Sequence, residues 1–156
     1  MTTTNNDKEL VLTRVIDASP ENVYRCWTTP ELMKKWFAPK PWTTPVVETD
    51  VRAGGASNIV MRSPEGVDYP NPGVYLEVVP NRRIVFTDAF RAGWIPAGEP
   101  FMTAEISLEP TADGKTLYTA TARHWTAEAC ERHAKMGFHE GWGLCASQLE
   151  EVARSL

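Results

Sequence analysis

Apolar positions along the chain alternate at first, then fall into short bursts between turn residues, and finally return at helical spacing. In residues 9–17, ELVLTRVID, Leu10, Leu12 and Val15 stand among polar neighbours, the pattern of a half-buried strand. Ser19-Pro20-Glu21 follows, combining a serine N-cap, proline at the first helical position and an acid in the first turn. Thr29-Pro30-Glu31 repeats that start signal ten residues later, so the first helix is short. The second carries Leu32, Met33, Trp36 and Phe37 and ends at Pro39 and Pro41. Two short helices in a V are therefore predicted after the first strand.

The middle of the chain changes period. Segments 44–52, 56–62, 74–79, 83–90, 102–109 and 115–124 all read as extended. Ala53-Gly54-Gly55, Ser63-Pro64-Glu65-Gly66, Pro80-Asn81 and Asp113-Gly114 supply the turns between them. Residues 93–100, GWIPAGEP, are too proline-rich for a strand and read as a loop. With the first strand, this is a seven-stranded antiparallel meander. After His124, Thr126 can cap a helix with Glu128 in its first turn. Phe138, Trp142, Cys145, Leu149 and Val152 then recur at spacings of four, three, four and three. This predicts one C-terminal helix of up to about 28 residues, roughly 40 Å long.

Such a sheet can leave one face wet and must cover the other. A single helix about 10 Å wide is too narrow to fill the concave face of seven strands. The expected consequence is a cavity between sheet and C-terminal helix, closed at one end by the short helix pair. Residues 1–7 are Thr/Asn-rich and read as frayed, and 8–156 as one domain, since no linker or internal repeat divides them.

Composition narrows the partners. Of the 156 residues 42% are hydrophobic and 23% charged, enough for a core without metal or disulfide staples. A net charge of −4 with scattered basic residues provides no stripe for nucleic-acid phosphates or anionic lipid. Cys26, Cys130 and Cys145 cannot all pair and form no CxxC, which reads as free thiols in a reducing compartment. No apolar stretch is long enough to span a bilayer, and the polar start lacks a signal core, so a cytoplasmic location is expected. There is no phosphate-binding GKS/GKT, no GxSxG nucleophile motif and no cofactor signature.

Several segments carry a family resemblance. Ile16-Asp17-Ala18-Ser19-Pro20-Glu21-Asn22-Val23-Tyr24, with Trp27-Thr28-Thr29-Pro30-Glu31-Leu32 and Trp36-Phe37, resembles the opening of one branch of the START/Bet v 1 (SRPBCC) superfamily, the one homologous to the Hsp90 ATPase activator. Gly73-Val74-Tyr75-Leu76-Glu77-Val78-Val79-Pro80 with Arg83-Ile84-Val85-Phe86-Thr87 is similar to that family's central hairpin. Met136-Gly137-Phe138-His139-Glu140-Gly141-Trp142-Gly143 is similar to its C-terminal helix signature. The resemblance covers about residues 9–153 and implies an α+β helix-grip fold: a curved seven-stranded antiparallel sheet, two short helices and one long C-terminal helix. It also implies a scaffold used by lipid and hormone binders, by aromatase/cyclases and by a chaperone partner, a weak warrant for any one chemistry.

Individual residues sharpen the expectation. His133 and His139 lie six apart, roughly 240° around a helix, and cannot chelate one metal together. Cys130 and His133 are one turn apart, but a tetrahedral zinc site needs further ligands, so no metal is expected. His124 and His133 are better placed to line a pocket, because the strand end and the first helical turns frame one mouth of the grip. Asp88 shares a strand face with Ile84, Phe86 and Phe90. If that face is buried, its carboxylate needs a partner or a raised pKa. If the strand frays there, it meets water, and both outcomes stay open. Trp94, Trp125, Phe90 and Phe101 gather around the proline-rich loop, and Met102 and Met136 offer adaptable apolar surface. Gly137, Gly141 and Gly143 inside the helix point to close approach of helix and sheet, or to a bend.

The expected site is thus Phe86, Asp88, Phe90, Met102, His124, His133 and Met136, with Trp94 over the mouth and Phe138 to Val152 packed as plain core. The expected ligand is small and apolar or aromatic, bound without a cofactor, and a homodimer is compatible with the sequence. Two alternatives stand beside this binder: a cyclase/dehydratase- or hydrolase-type enzyme using a pocket Asp or His, with its catalytic residues unassigned, and a module acting on an Hsp90-type chaperone ATPase.

Overall fold

The computed structural model describes residues 6–156. The expectation for residues 1–7 falls mostly on residues outside that range. Strand β1 (Glu9–Ile16) leads into α1 (Pro20–Thr28) and α2 (Pro30–Trp36). Then come β2 (Thr43–Thr49), β3 (Ala56–Arg62), β4 (Asp68–Val79), β5 (Arg83–Thr87), the short β6 (Phe90–Arg91) and β7 (Ile95–Pro96), β8 (Thr103–Pro110) and β9 (Thr116–Arg123). Helices α3 (Ala127–Lys135) and α4 (Phe138–Arg154) close the chain.

Seven strands form one sheet in the order β1-β9-β8-β5-β4-β3-β2, while β6 and β7 pair apart from it. Every pairing is antiparallel, and β1 closes on β9 from Glu9↔Arg123 to Ile16↔Thr116. Alternation along the strands buries Ile16, Ile59, Ile84, Ile106, Leu108 and Ala120 in one apolar cluster. On the solvated side Glu9, Arg123, Glu105, Arg83 and Glu77 form a chain of ion pairs across successive strands. These pairs are partly exposed and add little stability each; burial on the other face holds the sheet.

Thr29 serves as C-cap of α1 and N-cap of α2, which makes the corner of the V a single residue. The V is locked by its tryptophans: Trp27 and Trp36 stack edge-on at 4.8 Å. Trp36 Nε1 donates to the Cys26 carbonyl (3.0 Å) and Trp27 Nε1 to the Tyr118 hydroxyl (3.1 Å), so both indoles are satisfied where they are buried. Helix α4 is held by polar side chains as well as by its apolar stripe. Arg14 on β1 donates to Ser147 Oγ (3.0 Å), and Glu150 accepts from the Asp17 amide (2.7 Å). Buried Gln148 donates to the Trp36 and Ala38 carbonyls (2.9 Å each) and accepts from the Lys40 amide (3.1 Å). It straps the segment after α2 to the helix.

The structure corrects five details of the sequence reading. The strand expected over 83–90 stops at Thr87, and β4 starts at Asp68 rather than 74. Ile95–Pro96, inside the expected loop, pairs briefly with Phe90–Arg91. The single C-terminal helix is two, because Gly137 adopts φ +96°, a left-handed backbone that ends α3 and starts α4 and that glycine tolerates at little cost. Finally, Gly141 and Gly143 make no close approach: a Cβ at either would meet nothing within 4 Å.

Gly73 is the contrary case, since its Cβ would stand 2.3 Å from the Thr87 carbonyl oxygen. Gly73→Ala is expected to lower stability by about 2–3 kcal/mol in urea unfolding, through backbone displacement at the β4–β5 pairing. Gly143→Ala, in open space within a helix, is expected to raise it by about 1 kcal/mol.

Candidate functional site

The register of the sheet brings the sequence candidates to one rim. Thr103 pairs with both Arg123 and Thr87, and Val74 with both Thr87 and Ala56. The residues just beyond these positions, His124, Met102, Asp88 and Gly55, therefore line up along one end of the strands. At this end the buried face of the sheet carries Ala104 and Ala122, fully covered but too small to fill the space above them. Larger rings fill it from the connecting segments and helices.

His124 and His133 form the centre of that filling. Both are buried, and His124 Nε2 lies 2.8 Å from His133 Nδ1. His124 Nδ1 is 3.0 Å from the Lys8 carbonyl, which can only accept, so this nitrogen carries a proton. In the neutral pair His124 Nε2 is then an acceptor, and His133 Nδ1–H donates to it. That leaves His133 Nε2 as a lone pair. It has no partner among the described residues, and it is not sealed from open space. Around it stand Phe101 (4.7 Å between centroids), Phe138 (5.2 Å) and Trp142 (6.2 Å). Burial, and then the charge of the adjacent His124, pushes the His133 pKa down to about 4. At neutral pH the ring is an uncharged acceptor in an aromatic nest.

Asp88 follows the end of β5, and its carboxylate accepts the backbone N–H groups of Phe101 (2.8 and 3.0 Å) and Met102 (3.2 Å). It clamps the segment that presents the Phe101 ring to His133, and is a positioning residue for the nest. On its other side Asp88 borders a recess of about 190 Å³ with Arg91 and Glu99. Met102 is half-buried and its carbonyl accepts from Thr87 Oγ1 (3.1 Å). Phe86 packs on Trp27 (5.8 Å), toward the interior. Phe90 and Trp94 form a separate pair (5.8 Å), with the half-exposed Trp94 ring lying over Gly54. Met136 is 74% exposed, on the junction of α3 and α4.

The structure thus joins His124 and His133 directly, reaches them from Asp88 and Met102 through Phe101, and leaves Phe86, Phe90, Trp94 and Met136 outside the ring contacts. Phe138 and Trp142, read from sequence as plain core, belong to the nest, as does Phe101. Their signal was available: Phe138 and Trp142 share a helix face, and Phe101 directly precedes Met102. Among the described residues no group of three or more His, Cys, Asp or Glu is arranged to hold a metal. No helix there is long and apolar enough to cross a membrane.

A curved antiparallel sheet gripped by a C-terminal helix, with a helix pair at one end, defines a helix-grip protein. The match to the activator of Hsp90 ATPase homolog 1-like family runs over residues 17–154, and the chain belongs to that family. A crystal structure of a Nitrosomonas europaea protein is 42% identical over 97% of both chains, with a TM-score of 0.93. A Chromobacterium violaceum protein is 27% identical over 92% of this chain and 96% of its own, at TM-score 0.75. A Mycobacterium smegmatis protein, 22% identical over 94% and 90%, shares the fold at TM-score 0.78. No curated protein matches.

The lowered His133 pKa makes a stability prediction. The unfolded chain takes up this proton near pH 6.5, the folded chain only near 4. The contribution is therefore complete above 6.5 and is lost as pH falls through that window, on the order of 2–3 kcal/mol in all. Urea midpoints of the native protein are expected to fall between pH 7 and 4.5 more steeply than those of His133→Phe.

Proposed function

We propose that the protein holds a small, largely apolar or aromatic molecule against the open side of the ring nest that fills the space between the sheet rim and helices α3 and α4. The observation that carries this is the unpartnered Nε2 of His133, set among Phe101, Phe138 and Trp142. Water can reach this accepting nitrogen, and a hydroxyl on a bound ligand would take the water's place and fix the ligand's orientation. The rings supply apolar surface and the lone pair supplies orientation, the usual division of labour in a small-molecule site. Membership of a fold that commonly holds ligands supports the same reading.

The His–His pair also favours a second reading, proton transfer to or from a bound substrate, since His133 is neutral and its partner is tied to the Lys8 carbonyl. A base with a pKa of about 4 is poorly matched to neutral pH, which places binding ahead of acid/base catalysis.

Two measurements test the binder. Native mass spectrometry of protein purified from its host under non-denaturing conditions is expected to show a retained small molecule. Tryptophan fluorescence titration is expected to show 1-naphthol binding about five- to tenfold more tightly than naphthalene, the worth of one hydrogen bond. His133→Phe should abolish that preference while leaving naphthalene affinity within about twofold. Equal affinities in the native protein, or no binding of either, would sink the proposal.

A further inference from the structure

At the opposite end of the molecule from the histidines, α2, the start of β2 and the C-terminal half of α4 surround a cleft of about 780 Å³, open to solvent on one side. That volume is in the range of small-molecule sites. Its walls are held in place, because Gln148 ties the segment after α2 to α4 by hydrogen bonds to Trp36, Ala38 and Lys40. Trp42 in the wall is braced by Tyr69 of β4, with ring centroids 5.4 Å apart.

The chemistry of the cleft is lopsided. Lys34, Lys35 and Lys40 border it against one carboxylate, Glu151. The lysine ion pairs among the described residues belong to Lys115 and Lys135, so none of the three has a carboxylate within 4.0 Å. This is a local positive surplus on a chain of net charge −4. Between the ammonium groups and the body of the protein the lining is apolar, chiefly Trp42 and Val152. Thr44 in the same wall is 3% exposed, and its hydroxyl has no partner among the described residues. A cation would be repelled here, and a neutral apolar molecule would gain nothing from the net positive charge that three lysines and one glutamate leave beside the apolar wall.

We propose that this cleft binds an amphipathic organic anion, its carboxylate held by Lys34, Lys35 and Lys40 and its apolar body lying against Trp42 and Val152. The site is distinct from the histidine nest: Trp142 and Val152 stand roughly 15 Å apart along α4. It does not depend on the nest holding a ligand.

The test is an amide NMR titration of the ¹⁵N-labelled protein with octanoate, 1-octanol and octyltrimethylammonium, each as a monomer in solution. Octanoate is expected to shift resonances of residues 34–44 and 148–152 saturably, about tenfold more tightly than either other probe. Raising salt from about 50 to about 500 mM should weaken it severalfold, because the ammonium groups are exposed. The triple change Lys34→Gln, Lys35→Gln, Lys40→Gln should weaken octanoate about tenfold, with the thermal midpoint unchanged. Shifts centred on Phe101, His133 and Trp142, equal responses to all three probes, or no saturable shift would each overturn the proposal. The first of those outcomes leaves the histidine nest standing as a ligand site, so the two readings fail separately.

Discussion

A seven-stranded sheet is about 29 Å across at about 4.8 Å per strand, and a helix is about 10 Å wide. That mismatch governs the rest of the structure. Helix α4 lies against β1, drawn there by Arg14 and Glu150, and leaves most of the concave face to other elements. The α1–α2 pair covers one end with Trp27 and Trp36, whose indole N–H groups end on Tyr118 and Cys26. At the other end no long element remains. The space is filled by rings from a strand end, a loop and the α3–α4 junction: His124, Phe101, His133, Phe138 and Trp142.

Hydrogen-bond accounting distinguishes the two ends. Around the helix pair the two indoles and the Gln148 amide are matched, Gln148 on three backbone groups, while the Thr44 hydroxyl in the cleft wall is left over. At the rim, Asp88 is matched by two backbone amides and His124 by Lys8, but the series ends on one imidazole lone pair. Core filling alone would be served as well by an apolar ring of the same size. Retaining an imidazole pair there is consistent with a specific polar contact, and it is what turns a packed rim into a candidate site.

Local chemistry made much of this legible. Ser19-Pro20 and Thr126 cap the helices they were expected to cap, and the turn residues at 53–55, 63–66, 80–81 and 113–114 separate the strands as read. The start of β4 was hidden because Pro70 and Pro72 argue against a strand, although the ladder there reaches Asp68↔Arg62. The break at Gly137 had a readable cue. Carrying the stripe of Phe138 and Trp142 back in the same phase would turn Ala134 and Glu131 inward, yet both are exposed, and Cys130 and His133 are buried instead. An inward Glu131 was never affordable, so the phase had to change near 136. The contact of His124 with His133 was not legible, because it depends on the angle between α3 and the end of β9, which no local spacing encodes. The fate of Asp88 depended likewise on where Phe101 and Met102 would bring their amides.

Helix α4 is a common wall of both proposed sites: Phe138 and Trp142 face the histidines, and Val152 borders the cleft. Coupling between two such sites requires an element with two arrangements that both ligands bias. The middle of α4 is not one. Ser147, Gln148 and Glu150 bind β1, the segment after α2 and the Asp17 amide, three separate parts of the fold. Sliding or rotating the helix would break all of these at once, at a cost comparable to the whole stability of a small domain. Near the histidines α3 meets the anchored α4 at Gly137, whose left-handed backbone sets the angle between the two helices and brings His133 onto Phe138 and Trp142. With the middle of α4 pinned between them, the histidine nest and the cleft at its far end share a wall without sharing an element that both ligands could bias.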